Sequence, residues 1–353
     1  MSATQGANRF FRFRTFLFFV CGLAAFPVRA APEHHAWCDA LDKRLLSVDG
    51  ASCRKRAFVP GAFRSVEGRP LMLLDVPPAA LPTASIASAF APPAARLRWR
   101  PPAMTPAAIP PPVAKPRGAT RILLIGGIHG DELTSVSIVF RWMEWLDEAD
   151  AERHHWRIAP LANPDGLFAQ PARRTNGHGV DLNRNFSTPD WPRDALDYWR
   201  KRTGMDPRRY PGKAAMSEPE TRWLQGEIES FKPDVIVSVH APYGILDYDG
   251  PLQKPHRFGR LNLSQLGVYP GSLGNFGGVH KNIPVITIEL PHAGAMPSME
   301  EQRQIWNDML NWIRRAWHQG QRAEDRGRRT DRESGIRNQK TSCPSSFSGA
   351  KRC

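Results

Sequence analysis

Short apolar runs and amphipathic segments alternate along the middle of the chain. Residues 122–125 are isoleucines and leucines, and Gly126 and Gly127 follow them directly. This pattern predicts a buried strand that stops at a tight turn. Apolar residues then recur at helical spacing from 133 to 146. The same reasoning predicts three further strands and two further helices, at 156–161, 235–240 and 283–290, and at 218–231 and 299–317.

Strands that alternate with helices indicate one kind of architecture. They predict an α/β fold with a mixed, mainly parallel twisted sheet and helices on both faces. A short helix is also expected around residues 37–46, and Ser217 is expected to be the N-cap of the helix at 218–231.

Composition divides the chain into five segments. We interpret residues 1–30 as a signal peptide, 31–76 as an N-terminal segment leading into the main fold, and 77–118 as a Pro/Ala-rich linker or surface excursion. Residues 119–317 carry the main domain, and 318–353 read as a disordered basic tail. Proline removes a backbone donor and fixes φ, so residues 77–118 are not expected to sustain a helix or a central strand.

The first thirty residues have the three parts of a secretory signal. Arg9, Arg12 and Arg14 form a basic region, residues 15–26 are apolar, and a small-x-small step ends at Ala30. The apolar run is shorter than the roughly 20 residues that span a membrane. We therefore expect cleavage near Ala30, export to the periplasm and no stable membrane insertion.

The net charge of +14 would suit a nucleic-acid-binding protein if it were concentrated on the folded domain. Most of the excess positive charge instead lies in the two terminal segments. Residues 1–30 hold four arginines and no acid, and residues 318–353 hold nine Lys or Arg against four Asp or Glu. We therefore predict no nucleic-acid partner, and the charge says nothing about the oligomeric state.

Cys38 and Cys53 lie fifteen residues apart, just after the expected cleavage site. Export makes a disulfide between them plausible, and a loop of that size is stabilised by about 3 kcal/mol in the chain-entropy model. The chain has no Cys-x-x-Cys pair, which argues against a zinc site built from thiolates.

Candidate metal ligands follow two of the predicted strands. His129 and Glu132 come after residues 122–125, and His240 ends the strand at 235–240. Loops at the carboxyl ends of parallel strands bind ligands in α/β proteins, and two imidazoles with one carboxylate leave a fourth zinc position open. A His-x-x-Glu pair alone is more often a helix cap or a surface pair. The remaining histidines lack such a context and are expected on the surface or in loops: His34, His35, His154, His155, His178, His256, His280, His292 and His318.

Five motifs that follow one another along the chain favour a metal site over a helix cap or a surface pair. The chain contains GGIHGDE at 126–132, NPDG at 163–166, RTN at 174–176 with GVDLNRNF at 179–186, SVH at 238–240 and ITIEL at 286–290. Together they resemble the zinc metallocarboxypeptidase (funnelin-type) family, and most closely its bacterial murein peptide amidase branch, over residues 122–317. The resemblance implies a single zinc peptidase domain that binds one Zn²⁺ through His129, Glu132 and His240.

Glu289 is the candidate general base. It lies in an otherwise apolar strand, where a carboxylate is costly unless it is paired or functional. An outward-facing glutamate on an edge strand is the alternative. The resemblance places the catalytic glutamate of the family here, where it takes a proton from zinc-bound water.

The resemblance also assigns the arginines and the loop that follows them. Arg174 would stabilise the developing oxyanion, with Arg173 as the alternative, and Asn183 with Arg184 would clamp a substrate carboxylate. Tyr269 looks like the mobile tyrosine of the family. Ser272 belongs to the Pro-Gly-Ser step that would shape the pocket for the released residue.

Three functions remain open. The resemblance implies a zinc amidase that hydrolyses γ-D-Glu–diaminopimelate in cell-wall peptides, an amide next to a free carboxylate. The alternative is an N-acyl-amino-acid deacylase of the aspartoacylase or succinylglutamate desuccinylase type, although those usually place glycine after the third histidine, where this chain has Ala241. A zinc- or polysaccharide-binding module without catalysis is disfavoured by Glu289 and Arg174.

Overall fold

A nine-stranded sheet runs through the part of the protein that the computed structural model describes, residues 30–79 and 119–316. The predicted signal peptide and basic tail, and nearly all of the Pro/Ala-rich segment, lie outside these residues. In chain order the strands are β1 Val59–Arg64, β2 Pro70–Val76, β3 Arg121–Ile125, β4 His155–Ala159, β5 Val235–His240, β6 Ile245–Asp249, β7 Arg257–Phe258, β8 Leu261–Leu263 and β9 Val285–Glu289.

Helices cover both faces of this sheet. They are α1 Ala30–Arg44, α2 Gly50–Lys55, α3 Leu133–Met143, α4 Pro164–Phe168, α5 Trp191–Arg202, α6 Pro219–Phe231 and α7, which spans 299–316. Two short 3₁₀ turns, Leu182–Arg184 and Pro207–Arg209, and a π-helix, Gly274–His280, lie in the connections. Within the described ranges, no helix is both long and apolar enough to cross a membrane.

The strand order is β1-β2-β4-β3-β5-β9-β6-β8-β7. The four central strands β4, β3, β5 and β9 are parallel, whereas β1 and β2 on one side and β6 on the other are joined through antiparallel pairs. The predicted mixed α/β sheet in a single domain is confirmed. Because the central strands are parallel, their carboxyl ends meet at one edge of the sheet, where ligands bind in such folds.

The central strands are apolar throughout because both of their faces are covered. On one face, Ile122 and Leu124 of β3 belong to a core with α1, α3 and α7. On the other face, Leu123 and Ile125 belong to a core with α6 and the π-helix. Burying each such side chain contributes about 1.5–3 kcal/mol, so the two cores hold β3 and its carboxyl end in place.

Several boundaries differ from the sequence prediction. The first helix is longer and begins at Ala30, and the strand expected at 283–290 is the shorter β9. The prediction of Ser217 as an N-cap is wrong. Glu218 occupies the N-cap position of α6 without a side-chain capping bond, and the Ser217 hydroxyl donates instead to Glu218 Oε1 at 2.6 Å.

The predicted disulfide is present between Cys38 and Cys53. It joins α1 to α2, and both cysteines are buried. His34 lies beside it on α1, 6% exposed, with its Nε2 3.2 Å from the Cys53 carbonyl oxygen. The expectation that His34 is a surface or loop residue is therefore wrong, because α1 packs this face against the core. His155 lies in a strand, β4, rather than in a loop, and its side chain is partly exposed.

Candidate metal centre and active site

The three predicted ligands converge at the carboxyl ends of β3 and β5. His129 lies in the loop after β3, Glu132 is the N-cap residue of α3, and His240 is the last residue of β5. Glu132 makes no side-chain capping hydrogen bond, so its carboxylate is free to turn toward the histidines. Gly130 lets this loop approach the Gly166 backbone, because a Cβ at position 130 would collide with it.

The ligand atoms form a compact set. His129 Nδ1 lies 2.7 Å from Glu132 Oε1, His240 Nδ1 lies 3.1 Å from Glu132 Oε2, and the two Nδ1 atoms are 3.1 Å apart. The candidate ligand atoms all lie within 4.8 Å of one another, and the three residues are buried. Two imidazole nitrogens and one carboxylate are the donor set of catalytic zinc sites with an open position. The residues present therefore fit one zinc ion.

The outer nitrogens of both imidazoles have partners. His129 Nε2 lies 3.1 Å from Asp181 Oδ1, and His240 Nε2 lies 2.9 Å from the Ser238 hydroxyl oxygen. Such partners fix the ring orientation and leave Nδ1 as the ligand atom. Asp181 was not assigned a role from the sequence, although it stands within the GVDLNRNF run. Its position inside that motif is the sequence feature that could have pointed to a role at the metal site.

Neighbouring positive charges explain how the buried carboxylates of Glu132 and Asp181 stay ionised. Burial by itself would raise the pKa of Glu132, but the charges of His129 and His240 outweigh it and lower that pKa. Burial would also raise the pKa of Asp181, and Arg174 together with His129 holds it well below its usual range. Both carboxylates therefore remain anionic, which suits Glu132 as a metal ligand and Asp181 as the hydrogen-bond partner that orients His129.

Glu289 lies next to the ligand set. It is the last residue of β9 and pairs in register with His240. The side chain is 6% exposed, and its Oε2 has no hydrogen-bond partner among the described residues. Burial raises its pKa, against the lowering effect of His240. An orphaned buried carboxylate oxygen costs free energy unless a ligand or a reaction uses it.

Arg174, rather than Arg173, reaches the site. Its Nη1 donates to Glu132 Oε1 at 3.2 Å and its Nε to Asp181 Oδ2 at 3.1 Å. Arg173 instead pairs with Glu67 on the surface, at 3.1 Å between Nη2 and Oε1. The two acids hold the Arg174 guanidinium beside the ligands, where an oxyanion would need a donor.

Arg184 and Tyr269 lie together on the neighbouring loops. The Arg184 guanidinium carbon is 4.4 Å from the centre of the Tyr269 ring, and its Nη1 donates to the Asn183 carbonyl at 2.7 Å. Arg184 is buried, and no carboxylate in residues 30–79 or 119–316 forms an ion pair with it. Burial lowers the pKa of Arg184, and Asp181 partly offsets this. A buried cation without an ion-pair partner suits an anionic ligand.

Asn183 links the two loops, and Ser272 supports the loop that carries Tyr269 from within. Asn183 Oδ1 accepts from the Leu273 backbone N–H at 2.8 Å. The Ser272 hydroxyl oxygen accepts from the backbone N–H groups of Tyr269 and Asn275, at 3.3 and 3.2 Å. These contacts support the loops that carry Arg184 and Tyr269. The substrate-binding roles of Asn183, Arg184, Tyr269 and Ser272 remain predictions.

The structure therefore brings together most of the residues that the sequence pointed to, and the comparisons with known proteins agree with the motifs. The model of the zinc carboxypeptidase family matches residues 61–249. The chain belongs to this family, and the predicted resemblance is confirmed. It is thus a zinc metallocarboxypeptidase-type enzyme, in which His129, Glu132 and His240 could hold one zinc ion.

Individual proteins and solved structures show how similar this chain is to known members of the family. Murein peptide amidase A of Escherichia coli (strain K12) is 29% identical over 197 residues, which are 54% of this chain and 79% of that protein. The protein of the same name from Vibrio campbellii is 30% identical over 189 residues, 52% of this chain and 74% of that protein. Among solved structures, carboxypeptidase A from Helicoverpa armigera matches with a TM-score of 0.50 at 17% identity, over 74% of this chain and 68% of that one. This structural likeness shows the fold.

Proposed function

We propose that this enzyme hydrolyses the amide between γ-D-glutamate and diaminopimelate in murein peptides. The observation that carries the proposal is one juxtaposition: a His-Glu-His ligand set, the buried carboxylate of Glu289 with its Oε2 lacking a hydrogen-bond partner, and the buried guanidinium of Arg184, which has no ion pair among the described residues. The set and Glu289 support amide hydrolysis, and Arg184 supports a substrate with a free carboxylate. The murein peptide amidases among the relatives support the choice of amide.

The residues divide the work of hydrolysis among them. When bound, zinc supplies Lewis acidity and lowers the pKa of water. Glu289 takes one proton from the attacking water as the oxygen bonds to the scissile carbonyl carbon. Arg174 donates hydrogen bonds to the carbonyl oxygen as it gains negative charge. The carbon–nitrogen bond then breaks, and Glu289 returns the proton to the leaving amine.

The second loop region positions the substrate. Arg184 and Asn183 bind the carboxylate next to the scissile amide, because a guanidinium fork matches a carboxylate in two hydrogen bonds. Tyr269 lies against the Arg184 guanidinium and restricts its orientation through a cation–π contact. Diaminopimelate carries a carboxylate at this place, and so does the C-terminal residue of any peptide.

A substrate panel tests the proposal. The zinc-loaded protein is incubated with L-Ala-γ-D-Glu-diaminopimelate, N-succinylglutamate and a plain C-terminal dipeptide, and the products are separated by chromatography. We expect cleavage of the γ-D-glutamyl peptide at the highest kcat/KM. Preferred cleavage of N-succinylglutamate would support the deacylase alternative instead. Zinc binding without turnover of any of the three substrates would indicate a zinc-binding module without catalysis.

We also propose that the enzyme acts in the periplasm. The disulfide between Cys38 and Cys53 supports this location, because disulfides persist in oxidising compartments. Fractionation of cells that produce the whole chain should recover the protein with periplasmic markers and with these two thiols blocked. Recovery in the cytoplasmic fraction with both thiols free contradicts it.

A further inference from the structure

A pocket adjoins the ligand set, apart from the loops that carry Arg184 and Tyr269. Its cavity volume is about 200 Å³, and Glu132 and Arg174 of the site described above also line it. The residues predicted to clamp the leaving carboxylate do not line it. Because the leaving residue occupies the clamp, this pocket is placed to receive the other half of the substrate, the acyl group.

Two arginines on the short helix Pro207–Arg209 line the pocket. Arg208 forms a close ion pair with Asp131, at 2.7 Å between Nη1 and Oδ2. Arg209 has only a loose one, at 3.5 Å between its Nε and Asp206 Oδ2, and its side chain is 38% exposed. A guanidinium has five N–H donors, so Arg209 keeps donors available in the described structure. Its positive charge is also close enough to Arg184 to lower the pKa of that residue.

The chemistry of a γ-linked glutamate supplies an anion for this position. In such a residue the scissile carbonyl belongs to the side chain, and the α-carboxylate is free. Four bonds separate the two carbons, so the carboxylate lies within about 5 Å of the reacting carbon. An acyl residue with an apolar or amide side chain, linked through its α-carbonyl, has no carboxylate there, whereas an α-linked glutamate places its side-chain carboxylate at the same four-bond separation. An arginine with spare donors in the acyl pocket can therefore select an acyl residue that carries a carboxylate four bonds from the reacting carbon.

We propose that Arg209, with Arg208 beside it, binds the free α-carboxylate of the acyl-side glutamate and makes the enzyme selective for an acyl residue that carries a carboxylate at this distance from the scissile amide. This inference rests on the proposed function, since it names the acyl group of that substrate. It assigns the two ends of the substrate to two arginine sites, with Arg184 on the leaving side and Arg209 on the acyl side. The alternative is that Arg208 and Arg209 only form surface ion pairs, which contribute little to stability.

Binding of the acyl product tests the proposal without turnover. Titration calorimetry on the zinc-loaded protein compares L-Ala-D-glutamate with L-Ala-D-isoglutamine, in which the α-carboxylate is a carboxamide and the γ-carboxylate is kept. We expect the free acid to bind about tenfold more tightly, the range of a charge-assisted hydrogen bond. Arg209→Gln should abolish the difference, and Arg209→Lys should restore part of it. Arg193→Gln, at an exposed arginine on α5 paired with Asp194, is the matched control.

Kinetics separate this inference from the function on which it rests. If the tripeptides with D-glutamate and with D-isoglutamine are cleaved at equal kcat/KM and their acyl products bind equally, the amidase function stands and the role of Arg209 is wrong. If neither tripeptide is cleaved but the tenfold binding ratio is present and depends on Arg209, the pocket assignment stands and the proposed reaction is wrong. A binding ratio that Arg209→Gln leaves unchanged also overturns the assignment. Zinc content and melting temperature establish that each variant is folded.

Discussion

Two sets of wholly or partly buried carboxylates lie close to this sheet, and they differ in the cations around them. Glu132 and Asp181 each lie within 3.2 Å of a histidine ring nitrogen and of the Arg174 guanidinium. Asp247 and Asp249 lie on β6, and neither forms an ion pair with a described Lys, Arg or His. Burial acts in the same direction on both sets, so the cations make the difference.

The pKa shifts follow this difference. Burial would raise the pKa of Asp181, yet Arg174 and His129 lower it well below its usual range. Burial raises the pKa of Asp249 to about 6, and the neighbouring Asp247 adds to this, whereas Lys254 only partly offsets it. The first set thus stays ionised and can serve a metal. The second set is ionised at neutral pH only at a cost in stability.

The largest expected effect comes from removing a ligand of the first set. His240→Ala should abolish both zinc binding and activity, because two ligands do not replace the three of a catalytic zinc site. Metal analysis after dialysis, with turnover of the preferred peptide, measures both. His256→Ala, at an exposed histidine, is the control and should retain one equivalent of zinc. Full zinc occupancy in the His240 variant would falsify the ligand assignment.

Next in size is the loss of the orphaned carboxylate beside the ligands. Glu289→Gln should keep the zinc and the fold and lower kcat by roughly 10²–10⁴-fold, the usual contribution of general acid–base catalysis. Glu300→Gln, at an exposed position, should turn over like the wild type. Near-normal kcat in the Glu289 variant, at equal zinc content, means that another group moves the proton.

Asp181→Asn directly tests the charge balance between this carboxylate and the cations Arg174 and His129. The substitution removes one of the two carboxylates that face Arg174 and His129 and leaves them only Glu132, so we expect about 3 kcal/mol of lost stability from the broken buried pair. The anchor of the His129 ring is weakened as well, so zinc affinity should fall by about 10–100-fold. Denaturant unfolding and competition with a chelator measure the two quantities. A variant with unchanged stability would show that the cations do not depend on Asp181.

A smaller effect is expected at the leaving-group clamp. Arg184→Ala should raise KM by about tenfold and remove the preference for a free carboxylate over an amide beside the scissile bond, because the interaction acts on bound substrate. Paired free-acid and amidated peptides measure the preference, with Arg193→Ala as the control. If the Arg184 variant discriminates between the two peptides as the wild type does, the clamp lies elsewhere.

The last expected effect has the opposite sign and concerns Asp249, in the second set of carboxylates. The folded pKa of Asp249 is about 6, against an ordinary value of 3.8, so the folded state holds this proton more tightly. Stability from this group is complete below about pH 4 and is lost as the pH rises through 6. Asp249→Asn should therefore leave stability unchanged at pH 4 and raise it by about 2 kcal/mol at pH 8.

Melting curves of Asp249→Asn and the wild type at the two pH values measure the effect. A gain of that size corresponds to about 5 °C in melting temperature for a domain of this size. Equal gains at pH 4 and pH 8 would mean that shape, not charge, is responsible. Together with Asp181→Asn, this variant shows whether the surrounding cations decide what a buried carboxylate does in this fold.

Much of the fold followed from apolar periodicity. β3, β5 and β9 were expected because their apolar runs are continuous, and α3, α6 and α7 because of their helical spacing. The strands of residues 245–263 were not predicted, since β6 alternates with two aspartates and β7 and β8 are very short. Ser217 was misassigned as a cap because the sequence alone does not show that its hydroxyl bonds to Glu218.

The sequence by itself determined the reacting groups. His240 and Glu289 end apolar strands, and His129 and Glu132 follow one, so the meeting of parallel strand ends at one edge brings them together. Only the tertiary structure decided the surroundings of the charged groups: Asp181 beside His129, the lack of an ion pair to Asp249 among the described residues, and the spare donors of Arg209. These depend on which side chains from distant segments lie within about 4 Å of one another, and the periodicity of a single segment does not specify this.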